Sequence, residues 1–183
     1  RCAGYGLQDL RFVGSGAHGV VYADSALSLV AKFSYQNTAG VVREECETLR
    51  RLEAAAVPFV ERCRGTCQVD GGVVALYAPF FDGAQQASPT VVAGLTSEAK
   101  RAFVTASTAF LVRCLAAGVA VNDLQVLVRP TGDVLAIDLT GAGPVAGGLG
   151  LARAQQSLSE WAAVLPADVQ AAAAESLAAE LGR

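Results

Sequence analysis

Methionine is absent from this chain of 183 residues, and histidine and tryptophan occur once each, at His18 and Trp161. A chain that opens at Arg1 without methionine is expected to be a piece of a longer translation product, with any N-terminal targeting or secretion segment removed. Long apolar runs are also missing: 52% of the residues are apolar, yet none of the runs approaches the roughly 20 residues that span a bilayer. A soluble globular domain is therefore expected, and its length suffices for one real core. Positive charge is scarce and scattered, 14 Lys and Arg against 17 Asp and Glu, which leaves no basic footprint for nucleic acid. With a single histidine, Cys63 and Cys67 have little to complete a zinc site. The five cysteines, odd in number and set in apolar contexts, are expected as reduced, buried thiols rather than as a disulfide framework.

Against these absences stands one dense stretch, Phe12 to Lys32. Apolar residues flank Gly14, Gly16 and Gly19, which predicts two β-strands joined by the loop Gly14-Ser15-Gly16-Ala17-His18-Gly19, with Val30-Ala31-Lys32 on a third strand. Backbone amides reach phosphate oxygens closely only where no Cβ intervenes, and a lysine adds a mobile positive charge. The loop opens into a strand, Val20-Val21-Tyr22, whereas a dinucleotide-binding loop opens into a helix. The pattern therefore fits the phosphate clamp of protein kinases; its bland alternative is a hairpin whose glycines serve only turns.

Downstream, Val42, Cys46, Leu49 and Leu52 form a helical stripe between Val41 and Ala55, with Glu44, Glu45 and Glu47 all available to pair with Lys32. A hairpin is predicted from Cys67-Gln68-Val69 through Asp70-Gly71-Gly72 to Val73–Tyr77, completing a small five-stranded sheet. Residues 83–89 read as a polar linker. A long helix follows over Ser97–Ala117, with Thr96 as N-cap, an apolar stripe of Phe103, Ala106, Phe110, Leu111 and Cys114, and Gly118 as its stop. Two apolar strands then surround a turn at Pro130–Asp133, with Asp123 ahead of the first and Asp138 after the second. Two helices close the chain, the first over Leu151–Leu165 and the second opening at Pro166.

Taken in order, the glycine loop, Lys32, a helix glutamate, Asp123 and Asp138 resemble a protein kinase reduced to its minimum, over about residues 10 to 165. The resemblance implies an α+β, two-lobe kinase fold: a five-stranded N-lobe with helix C over about residues 1–82, and a truncated helical C-lobe over about 83–183 with no activation segment. It implies ATP and magnesium as cofactors. Lys32, held by Glu45, would grip the α- and β-phosphates; Asp123 would be the catalytic base and Asp138 the magnesium ligand. Ala78-Pro79-Phe80 would be the hinge, with Ala78 and Phe80 meeting adenine through their backbone while Pro79 offers no donor. Val121 and Asn122 stand where the motif has His-Arg, and Val128 where it has asparagine, so Gln125 is the nearest amide that could reach the metal.

The short spacing from Asp123 to Asp138 and the two-helix tail are most similar to a bacterial type III effector kinase family that phosphorylates the eukaryotic heat-shock-ninety chaperone. That likeness implies a monomeric serine/threonine kinase secreted into the host cytoplasm, acting on that chaperone, with no nucleic acid or membrane partner. A binding module without transfer, or a small-molecule phosphotransferase on the same fold, are the alternatives.

Overall fold

The computed structural model describes residues 6–7, 9–24, 26–121, 124–139, 142–144 and 165–181. Apolar, β-favouring residues on both sides of the first glycine cluster fold as strands β1 (Leu10–Ser15), β2 (Gly19–Asp24) and β3 (Leu29–Ser34), each antiparallel to the next. A short turn, Gln36–Thr38, leads into helix α1 (Ala39–Ala54), and β4 (Gly65–Gln68) and β5 (Val74–Pro79) follow. The protein is thus α+β, with one five-stranded antiparallel sheet in the order β1-β2-β3-β5-β4. The helical stripe read from the sequence is the buried side of α1: Val42, Cys46, Leu49 and Leu52 are at most 2% exposed.

The cysteines depart from expectation. Cys46 on α1 and Cys63, ahead of β4, form a disulfide with their Cα atoms 5.4 Å apart. Cys67 is disulfide-bonded as well, and its sulfur accepts a hydrogen bond from the Tyr77 hydroxyl at 3.4 Å. An odd count had argued for reduced thiols, but it excludes pairing for only one residue. Among the described residues that residue is Cys114, buried in the long helix and free.

The chain divides into two compact units, Arg1–Arg51 with Glu61–Phe80, and Leu52–Val60 with Phe81–Arg183. The main boundary falls two residues before the expected one at 82. Residues 52–60 join the second unit for a visible reason: the Ala136 amide donates to the Phe59 carbonyl at 2.7 Å, and Val60 pairs with Ala136 as a parallel bridge.

In the second unit the elements are β6 (Gln85–Gln86), α2 (Pro89–Ala93), α3 (Ser97–Ala116), β7 (Val119–Ala120), β8 (Gln125–Val128), β9 (Val134–Ile137), β10 (Gly143–Pro144) and α4 (Ala167–Leu181). Thr96 caps α3 by accepting from the Ala99 amide at 3.2 Å, and Gly118 follows the helix at φ 71°. Phe103, Val104, Val126, Val128 and Val134 share a core with Leu165 and Val169. The polar linker after Gly83 is not wholly irregular, because Gln85 and Gln86 add a short strand to the β8–β9 hairpin. The helix expected over residues 151–165, with Trp161, lies outside the described residues apart from Leu165. No helix among the described residues is long and apolar enough to cross a membrane.

Candidate active site

The β1–β2 hairpin carries the glycine loop at its tip, and its register shifts by one residue between Phe12 and Gly14. Such bulges re-aim the backbone next to functional sites. The three glycines serve different ends. At Gly19 a Cβ would stand 2.2 Å from the Phe33 carbonyl oxygen, so the β2–β3 pairing itself demands glycine there. At Gly14 and Gly16 nothing lies within 4 Å of where a Cβ would be, which leaves their backbone open to a close ligand. Ser15 and Ala17 are exposed and His18 is half-buried.

Lys32 stands directly across from Val21 in the β2–β3 ladder, one strand away from the loop. Its Nζ donates to Glu45 Oε2 at 2.8 Å, and the two side chains are 12% and 0% exposed. Of the three candidate glutamates, Glu44 and Glu47 face solvent while Glu45 is buried. A carboxylate taken from water at this depth requires a cation or donors, and Lys32 is that cation. The adjoining Cys46–Cys63 disulfide ties this turn of α1 to the segment preceding β4.

The expected hinge is more constrained than the sequence suggested. Ala78 pairs with Val30 inside the sheet, and the Phe80 amide donates to the Ser28 carbonyl at 2.8 Å. The donor expected to meet adenine at Phe80 is thus already engaged, which leaves that residue its carbonyl. In the second unit Arg129 fastens the next two residues: its guanidinium lies 4.0 Å over the Phe81 ring and its Nε donates to the Asp82 carbonyl at 2.9 Å. An arginine before a Pro-Thr-Gly turn carries no sequence signal for that role.

Asp138 follows β9 with φ 52°. A non-glycine residue in the left-handed region is uncommon, and such strain gathers at ligand and switch positions. After it, the Ala142 amide donates to the Leu139 carbonyl at 3.1 Å and the chain enters β10, which pairs with β7. Gln125 is opposite Ile137 at the end of the same hairpin, and its Oε1 accepts from Gln86 Nε2 at 3.3 Å. The amide oxygen expected to reach a metal is therefore already hydrogen-bonded. Asp123 lies outside the described residues, flanked by buried Val121 and half-buried Leu124. Among the described residues no cluster of three or more His, Cys, Asp or Glu side chains is placed to hold a metal ion.

Two further residues bear on the loop without having been singled out. The Tyr35 hydroxyl donates to the Gly16 carbonyl at 3.2 Å, and the Thr38 hydroxyl donates to the His18 carbonyl at 2.6 Å. A tyrosine and a threonine in a linker give no periodic signal; only the return of β3 past the loop reveals them. A scan against models of known protein families finds no match, and no curated protein matches the chain.

Proposed function

We propose that this chain is a minimal protein kinase that transfers the γ-phosphoryl group of ATP to a serine or threonine hydroxyl. The observation that carries the reading is the buried Lys32–Glu45 pair, one strand from a loop whose Gly14 and Gly16 leave room for phosphate oxygens. A hairpin with purely structural glycines needs no buried lysine beside it. The left-handed Asp138 and the α+β architecture agree with the same reading.

ATP with magnesium, when bound, supplies the phosphoryl group and spreads its charge over the metal. The residues then have separate tasks. The glycine loop covers the phosphates with amides other than that of Gly16, which donates to the Gly19 carbonyl, and Lys32, aimed by Glu45, holds the α- and β-oxygens. Asp138 would hold magnesium. Asp123 orients the acceptor hydroxyl and takes its proton as the oxygen–phosphorus bond forms and the bond to ADP breaks. Catalysis of this kind is mostly positioning and charge compensation.

The chaperone substrate and host-cytoplasmic setting implied by the effector family have no support of their own in the fold. A buried disulfide beside Glu45, with Cys67 also bonded, favours folding in an oxidising compartment, so we retain a protein acceptor without that address. A nucleotide-binding module without transfer is the second reading, favoured by the engagement of Gln125 with Gln86. Incubation with labelled ATP, magnesium and extract proteins separates the two. Label on a protein with wild type but not with Lys32→Ala or Asp138→Ala supports the kinase; binding of ATP without any label in all three supports the module.

A further inference from the structure

The turn after β3 reaches back to the glycine loop by three hydrogen bonds and is braced by a fourth within itself. Tyr35 donates from its hydroxyl to the Gly16 carbonyl and from its amide to the His18 carbonyl at 3.3 Å. Thr38 donates its hydroxyl to the same His18 carbonyl, while Thr38 Oγ1 accepts from the Tyr35 amide at 3.0 Å. Across the loop, the Gly16 amide donates to the Gly19 carbonyl at 2.9 Å. Both ends of the tip are thereby held.

In a trans peptide the C=O and the following N–H point in opposite directions. Holding the Gly16 carbonyl toward Tyr35 therefore turns the Ala17 amide the other way, on a loop whose Gly16 has nothing beside its Cβ position. We infer that Tyr35 and Thr38 are positioning residues that aim the glycine-loop amides at the phosphates of a nucleoside triphosphate. The inference rests on the phosphotransferase reading and adds the source of the loop's order. Glycine-rich backbone is entropically expensive to fix, so a loop ordered before binding loses less freedom when the phosphates arrive.

The discriminating ligand pair is ATP and adenosine, because only the phosphates meet the loop. In a Tyr35→Phe, Thr38→Val double variant, ATP should bind on the order of tenfold more weakly, the worth of two modest hydrogen bonds, while adenosine affinity stays within about twofold. Restoring a hydroxyl with Thr38→Ser in the Tyr35→Phe background should recover about half of the logarithmic loss. Amide hydrogen exchange without nucleotide should quicken at Gly16, whose amide donates to the Gly19 carbonyl, in the double variant. Equal weakening of ATP and adenosine, or no change in either ligand or in the Gly16 amide, overturns the inference. Wild-type protein that binds neither ligand overturns the phosphotransferase reading together with it. Should the double variant not fold, Tyr35→Phe alone, which removes one hydroxyl, is held to a shift of about threefold in the ATP-to-adenosine ratio.

Discussion

Replacing Cys46 and Cys63 together by alanine should destabilise the first unit by about 3 kcal/mol. The bridged residues are 17 apart, and closing a loop of that size removes roughly 10 to 11 cal/mol/K from the unfolded chain, or about 3 kcal/mol at 25 °C. The two sites are buried, at 2% and 6% exposure, and alanine leaves no unsatisfied polar group there. What is lost is mainly the cross-link, with a smaller packing loss from two sulfur atoms. Reductant is the wrong tool, because Cys67 is also disulfide-bonded and would be opened at the same time. Urea unfolding of the double variant against wild type, both kept oxidised, reads the difference as a lower midpoint. A larger slope in denaturant should accompany it, since the uncross-linked chain exposes more surface on unfolding. An unchanged midpoint would show that the two sulfurs are not bonded in the folded protein, and the compartment argument would fall with it.

Glu45→Ala should cost about 3 kcal/mol in the same assay, because it removes the buried carboxylate that pairs with Lys32 at 12% exposure; Glu44→Ala and Glu47→Ala, at the surface, should stay within about 0.5 kcal/mol. Gly19→Ala should destabilise by about 1 to 3 kcal/mol as the new methyl meets the Phe33 carbonyl, whereas Gly14→Ala and Gly16→Ala should leave the melting temperature nearly unchanged and lower ATP affinity instead. Burial pushes the Cys114 thiol from 9.0 up to about 12. Below pH 9 both states keep the proton and nothing is lost; above it the unfolded chain ionises while the folded one does not, so stability falls as pH rises. Relative to Cys114→Ala, wild type should lose roughly 2 to 3 kcal/mol by pH 11, and native Cys114 should resist alkylation at pH 8.

The elements were legible wherever one period or one stop signal governed a segment. Apolar residues flanking the glycines marked two strands and Val30-Ala31-Lys32 a third, the spacing of Val42, Cys46 and Leu49 marked α1, and Thr96 with Gly118 bounded α3 within one residue. Likeness to the kinase helix pointed to Glu45 among three neighbouring glutamates, and α1 buries that one against Lys32 while Glu44 and Glu47 face solvent. The engagement of the Phe80 amide was not legible because its partner, Ser28, belongs to a turn 52 residues earlier and no local pattern links the two. Gln85 and Gln86 looked like linker because a two-residue strand takes its stability from the hairpin it joins, not from its own side chains.

The cysteines bear on function in a way the candidate site residues cannot. Lys32, Glu45 and the glycine loop would serve phosphoryl transfer equally well in any compartment that holds ATP and magnesium, so the resemblance they carry is neutral about location. A disulfide one residue from Glu45 is not neutral, because reducing cytoplasm keeps such pairs open. If α1 depends on that bond for about 3 kcal/mol, a domain that folds with a margin of about 5 to 15 kcal/mol loses a large share of it in reducing conditions. The acceptor protein would then be sought first among proteins of an oxidising lumen or the cell exterior. Labelling extracts of that origin beside cytosolic ones tests this directly: acceptors confined to the cytosolic extract, with activity undiminished in excess reductant, would return the protein to the cytoplasm and reduce the disulfide to a bystander.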